Sequence, residues 1–166
     1  MNNKFYRQKK IEDRLLFIPN PELREIQLEI KNELENDFDV HSSACAYIKG
    51  KNIISAIKPH IGNDLWIRFD IVGFFEHITP EHIYKALSKK YDKEKCDYII
   101  DNVVVTYPNG LVGLPQGTAT SPVISNIVMY EIDEAITNEL KKYGVVYTRY
   151  SDDIIISGKN INDLHA

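Results

Sequence analysis

Cysteine is scarce in this sequence. Cys45 and Cys96 are the two in 166 residues. They lie far apart with no Cys-x-x-Cys spacing, which argues against a disulfide scaffold or a cysteine-rich zinc site. Long apolar runs are also missing: none approaches the ~20 residues of a membrane span. Met1-Asn2-Asn3-Lys4 opens no signal peptide, so the reading is a soluble, cytoplasmic protein with no membrane partner. Nor is there an excess of positive charge. Lys plus Arg is 20 against 24 Asp plus Glu, a formal net charge of -4. That excludes a strongly basic nucleic-acid coat, but not an enzyme with a local basic groove. Internal repeats and low-complexity tracts are absent too. What is present is a chain of one-domain length, 43% hydrophobic and 27% charged, enough to bury a single core.

The patterning predicts mixed structure. Residues 5–19 read as two short strands around a turn at Ile11-Glu12-Asp13, with Lys9, Lys10 and Arg14 flanking it. Asn20-Pro21 is a helix start, and Leu23, Ile26, Ile30 and Leu34 follow at helical spacing. Residues 36–50 read as loop, and residues 52–58 as a short helix stopped by Pro59. A buried strand is expected over 65–71, helices from Thr79-Pro80 to about residue 91 and over 93–104, and a turn at Pro108-Asn109-Gly110. A loop over 113–117 leads to a long helix from Ser121-Pro122 to Gly144. Residues 145–150 and 154–157 read as strands around Ser151-Asp152-Asp153. Strands and helices alternate without a strict βαβ rhythm, so the class is α+β.

The carboxylates are the first oddity. Asp152 and Asp153 sit between two very apolar stretches, where neighbouring charges repel and burial raises the cost. A divalent cation removes that cost, and magnesium takes one or two carboxylates plus substrate phosphates. The plain alternative is a solvated hairpin turn, although Asp-Asp suits one less well than Asn-Gly or Asp-Gly. Asp70 ends the strand containing Trp66, Ile67 and Phe69. A helix cap is the plain alternative for it, weakened because Thr79-Pro80 already starts the next helix. The three acids could converge on a two-metal site with ions ~3.5–4 Å apart, although spacing alone does not prove convergence.

The loop Gly113-Leu114-Pro115-Gln116-Gly117, with Thr118, Thr120 and Ser121 after it, runs into a helix N-terminus, a place that suits an anion or a base edge. Its plain alternative is a strand-to-helix connection. Phe74-Phe75 reads first as core packing, with one ring facing a substrate as the alternative.

Taken together, these segments resemble a reverse transcriptase. Phe69-Asp70-Ile71-Val72-Gly73-Phe74-Phe75-Glu76-His77-Ile78 resembles motif A (69–78). Leu114-Pro115-Gln116-Gly117-Thr118-Ala119-Thr120-Ser121-Pro122, with Ser125-Asn126, resembles motif B (113–126). Tyr150-Ser151-Asp152-Asp153 resembles the YxDD box of motif C (150–153). The stretches Val40-His41-Ser42-Ser43-Ala44-Cys45-Ala46-Tyr47 and Ala56-Ile57-Lys58-Pro59-His60-Ile61-Gly62 are similar to bacterial retron enzymes, and less closely to group II intron enzymes. Ala46-Tyr47 stands where Gly-Phe is usual. The resemblance covers residues 5–158.

The resemblance implies a right-hand polymerase, with fingers over 1–64 and a palm over 65–166 whose antiparallel sheet packs on helices. Asp70 and Asp152 would be the main ligands of two Mg²⁺ ions, with Asp153 a third carboxylate. These ions would activate a primer 3′-hydroxyl and neutralise the pyrophosphate. Arg14, with Lys9 or Lys10, would grip the triphosphate of a dNTP; the alternative for the lysines is a solvated basic turn. Gln116 and Gly117 would lie along nucleotide and template. Phe75 would crowd the sugar 2′ carbon and favour deoxynucleotides. The implied activity is RNA-directed DNA synthesis on an RNA template from a DNA or RNA primer, in a retron or antiviral-defence setting. The other readings are a template-independent defence polymerase and a non-catalytic RNA-binding module retaining the fold.

Such enzymes carry a thumb beyond motif C, and here eight residues follow Gly158. The expectation is a fingers-palm form, thumb absent, completed by a further segment or a partner subunit. Alone it would extend primers poorly or not at all and tend to self-associate through exposed apolar surface and a strand edge.

Overall fold

The structure, a computed structural model, describes residues 3–12 and 14–159. Asp13 of the expected turn and the last residues of the 65–166 region lie outside them. In chain order the elements are β1 (Tyr6–Ile11), β2 (Arg14–Pro19), α1 (Pro21–Asp37), α2 (Ile53–Ile57), β3 (Leu65–Asp70), α3 (Pro80–Leu87), α4 (Lys93–Val103), β4 (Val105–Thr106), β5 (Val112–Gly113), α5 (Ser121–Lys141), β6 (Val146–Tyr150) and β7 (Asp153–Gly158). No described helix is long and apolar enough to cross a membrane. The chain divides into two compact units, Met1–Asp39 with Gly73–Val128, and Val40–Val72 with Met129–Ala166.

In the first unit, β1 and β2 form an antiparallel hairpin from Tyr6 opposite Pro19 to Ile11 opposite Arg14. Glu12 takes the left-handed backbone (φ 52°) that a two-residue hairpin turn requires. Asn20 caps α1 as its sequence predicts, accepting the Leu23 N–H at 2.9 Å. The buried face of α1 is Leu23, Gln27, Ile30 and Leu34. Ile26, expected on that stripe, is half-buried instead. Gln27 takes the inward place because its amide donates to the Tyr6 hydroxyl at 2.7 Å and the Asn102 carbonyl at 2.9 Å. Phe17 is fully buried against Val105 and Tyr107, each large side chain so buried contributing about 1.5–3 kcal/mol.

One expectation in this unit needs correction, and one element was not foreseen. The helix from Pro80 ends at Leu87, not near residue 91. Asp92 caps the next helix by accepting the Lys95 N–H at 2.8 Å, and the extended conformation that capping requires (φ -70°, ψ 173°) breaks the helical run. The β4–β5 hairpin, closed by the Tyr107 N–H donating to the Leu111 carbonyl at 2.8 Å, has strands too short to leave a periodic pattern.

In the second unit, an antiparallel sheet has the order β3-β7-β6. The chain after α2 runs through a 3-10 turn, Lys58–His60, that carries Pro59 past the helix end. That turn delivers His60, fully buried, to the sheet, where its Nδ1 meets the Ser157 hydroxyl at 2.6 Å and its Nε2 the Thr148 hydroxyl at 2.8 Å. Burial holds the His60 pKa below its ordinary value. Strand β7 starts one residue earlier than the sequence suggests, at Asp153, leaving Ser151 and Asp152 as a two-residue turn.

Candidate active site

The β3–β7 ladder opposes Asp70 to Asp153, Phe69 to Ile154 and Arg68 to Ile155. Just beyond the strand, the Ile71 N–H donates to the Asp152 carbonyl at 3.1 Å. Asp70, Asp152 and Asp153 therefore meet at one end of the sheet, although 82 positions separate Asp70 from Asp152 in the chain. One expectation is corrected here: these are not buried acids. Asp70 is exposed, and Asp152 and Asp153 are half-buried. Strand β3 is an exposed edge of the sheet, so the apolar residues around Asp70 do not enclose it.

Like charges directly opposite in a ladder repel, and Arg68 answers one of them. It shares a strand face with Asp70 and donates from Nε to Asp153 Oδ1 and from an Nη to Oδ2, each at 2.9 Å. The pair is partly solvated, with Arg68 71% and Asp153 24% exposed. Among the described residues, no hydrogen bond or ion pair engages the carboxylates of Asp70 or Asp152. Among the described residues no group of three or more His, Cys, Asp or Glu is arranged to hold a metal ion. The donor set still suits magnesium, which takes one or two carboxylates and completes its octahedron with water and phosphate. Asp70 and Asp152 meet that requirement; Asp153 is held by Arg68.

The turn between β6 and β7 is braced from behind by residues the sequence reading missed. Arg149 and Asp133 are both 0% exposed and paired, with Nη2 donating to Oδ2 at 2.7 Å and Nε to Oδ1 at 2.9 Å. The Tyr147 hydroxyl donates to the same carboxylate at 2.6 Å. An arginine in a strand that otherwise buries Tyr147 and Thr148 was the available signal, since a buried cation needs a partner. Its partner, on α5, could not be read from spacing.

The first unit gathers a different group. The β2 strand and the 113–117 loop are joined where the Phe17 N–H donates to the Gln116 carbonyl at 2.8 Å. Arg14 and Gln116 line one cavity of about 400 Å³ with Gly73, Glu76, Tyr107 and Asn109. Lys9 and Lys10 are exposed on β1 and do not line it. Gly117 is exposed in a left-handed conformation (φ 99°), with room for a Cβ only 3.3 Å from the Phe17 carbonyl. Phe74 is buried and Phe75 half-buried, their rings 5.3 Å apart. The Phe75 carbonyl accepts the Leu114 N–H at 3.0 Å, tying the motif A turn to the motif B loop.

The profile of the reverse transcriptase (RNA-dependent DNA polymerase) family matches residues 7–166. This chain belongs to that family. Among reverse transcriptases it is similar to the retron Ec83 enzyme of Escherichia coli, 34% identical over 152 residues, which cover 87% of this chain and 48% of that protein. The retron Mx162 enzyme of Myxococcus xanthus is 27% identical over 158 residues, 87% of this chain and 33% of that one. The chain thus spans half or less of these relatives. In fold it resembles telomerase from Candida albicans, solved with a fragment of telomeric RNA, at a TM-score of 0.61 and 10% identity, covering 96% of this chain and 39% of the telomerase. The α+β architecture read from the sequence is the fingers-palm fold of a reverse transcriptase.

Proposed function

We propose that this reverse transcriptase region forms the catalytic end of an RNA-directed DNA polymerase, adding dNMPs from dNTPs to a primer 3′-hydroxyl on an RNA template. The supporting observation is the meeting of Asp70, Asp152 and Asp153 at one strand end. Asp70 and Asp152 would hold Mg²⁺, which when bound lowers the pKa of the attacking hydroxyl and neutralises charge on the leaving pyrophosphate. Asp153 lies beside them in an ion pair with Arg68, which offsets its charge. In the other unit, Arg14 offers a planar fork suited to a triphosphate, and Gln116 offers an amide that can donate to and accept from a base or sugar. Lys9 or Lys10, exposed on β1 outside that cavity, would join Arg14 on the triphosphate, and Gly117 would lie along nucleotide and template. Phe75 would close the space at the sugar 2′ carbon. In these terms residues 1–64 serve as fingers and 65–166 as palm. A thumb-containing segment or subunit would hold the duplex, and a retron-like structured RNA would be the template.

The Arg68–Asp153 pair favours a second reading, a non-catalytic RNA-binding module, because an arginine already neutralises one acid. Primer extension with Mg²⁺ and dNTPs separates the two. Asp152→Asn is expected to abolish extension while RNA binding, followed by filter retention, stays at its original level. Extension that survives Asp152→Asn overturns the polymerase reading.

A further inference from the structure

Two residues of the second unit adopt the left-handed backbone that bulky side chains avoid, and they touch. Tyr47 and Ser151 both have φ near 62°, and their hydroxyl oxygens are 2.9 Å apart in a hydrogen bond. A tyrosine in this region is a true outlier, and such strain persists only where the surroundings over-determine it. Here they do. Ser151 is buried, and its carbonyl accepts from Arg149 Nη1 at 3.0 Å. Arg149 is locked by Asp133 through its other nitrogens. Its backbone is locked as well. The Arg149 N–H donates to the Ser43 carbonyl at 2.9 Å, and its carbonyl accepts the Cys45 N–H at 2.8 Å. The segment carrying Tyr47 is therefore pinned to β6 at Arg149, and again at the Ser151 hydroxyl.

We propose that Tyr47 and Arg149 are positioning residues that clamp Ser151 in its left-handed turn, from the hydroxyl and the carbonyl side respectively, and so aim the Asp152 carboxylate at the cation position beside Asp70. This rests on the reading of Asp70 and Asp152 as metal ligands. The mechanics are those of a two-residue turn. Ser151 and Asp152 alone set its path between Tyr150 and Asp153. With Ser151 fixed in this way, the Asp152 carbonyl accepts the Ile71 N–H. What remains free is the Asp152 side chain, with two torsions. If Ser151 relaxes to negative φ, the turn no longer matches the strand twist, and the Ile71 bond and the carboxylate direction change together.

The test uses the full chain with Tyr47→Phe, Ser151→Ala and both together, and Asp152→Asn as reference. Two quantities are read: hydrogen exchange at the Ile71 amide, and Mn²⁺ affinity by water-proton relaxation. Tyr47→Phe removes one oxygen from a half-exposed ring, so folding is not at stake. It is expected to speed Ile71 exchange, leave mid-strand amides of β6 and β7 unchanged, and weaken Mn²⁺ binding about 2–10-fold, the range one hydrogen bond covers. The double variant is expected to be no worse than either single one. Arg149→Lys keeps a charge for Asp133 but lacks the second arm that reaches Ser151, and is expected to act in the same direction; should it fail to fold, Tyr47→Phe decides. Unchanged Ile71 exchange, or unchanged Mn²⁺ affinity with exchange accelerated, overturns the positioning role while Asp152→Asn still abolishes Mn²⁺ binding. Mn²⁺ binding indifferent to Asp152→Asn overturns instead the reading of the site, and the proposal with it.

Discussion

Asp70 faces Asp153 directly across the β3–β7 ladder, and the repulsion between them is answered by Arg68 on Asp153 alone. The two acids at this strand end are thus unequal. One is neutralised by the protein; the other, with Asp152 beside it, has no ion-pair partner among the described residues.

Arg68→Gln tests that inequality. The arginine is mostly solvated, so its loss is expected to change stability by no more than about 1 kcal/mol. It also removes a positive charge from the cation position, so Mn²⁺ affinity is expected to rise about 2–5-fold at low salt, less at high salt. Paired denaturant unfolding and metal titration check both halves. A fall in metal affinity would mean that Arg68 orients the acids more than it opposes the ion.

The Arg149–Asp133 pair should behave oppositely. Both groups are fully buried, so Asp133→Asn or Arg149→Met leaves one unpaired and is expected to cost about 3–5 kcal/mol of unfolding free energy. Replacing both with apolar residues of similar volume is expected to restore most of that loss. Urea unfolding of the single and double variants reads this directly, and a single-variant cost under about 1 kcal/mol would contradict the buried-pair account.

His60 makes the second unit sensitive to acid. Its native pKa is held below the ordinary value of about 6.5 by burial. The unfolded chain therefore takes up a proton first as pH falls through about 6.5, and stability is lost below that point. His60→Gln is expected to flatten the slope of melting temperature between pH 7.5 and 5.5, two settings placed about one unit either side of the ordinary value. Thermal melts at the two settings check it, and an unchanged slope would assign the acid sensitivity to other groups.

Gly113 carries a prediction about the first unit. A Cβ there would lie 2.1 Å from the Glu76 carbonyl oxygen, a backbone atom that cannot swing aside. Gly113→Ala is expected to cost about 1–3 kcal/mol or more by overpacking and to weaken the Leu114–Phe75 link. An alanine variant as stable as the parent would mean the motif A turn is looser than it stands here.

Much of this was legible in the sequence because local chemistry dominates it. Asn20-Pro21 marked α1, the Glu12 turn marked the first hairpin, and the ordered motifs singled out Asp70, Asp152 and Asp153, which the sheet brings to one end. The parts that were not legible depend on partners far along the chain. Arg149 and Asp133 find each other only once α5 lies beside β6, and Gln27 turns inward where the Tyr6 hydroxyl and the Asn102 carbonyl take its NH2. The exposure of Asp70 was misjudged for a related reason. Apolar neighbours in a strand imply burial only when the strand is covered, and β3 is an edge.

Iron-directed cleavage tests the central claim most directly. Fe²⁺ replaces Mg²⁺ at oxygen-ligand sites and, with ascorbate and peroxide, cuts the backbone within reach of the bound ion. Cuts confined to the neighbourhoods of Asp70 and Asp152, suppressed by excess Mg²⁺ and absent in Asp70→Asn, are the expected result. Cleavage elsewhere, or cleavage at these positions that persists in Asp70→Asn, would contradict a shared cation at the end of β3 and β7.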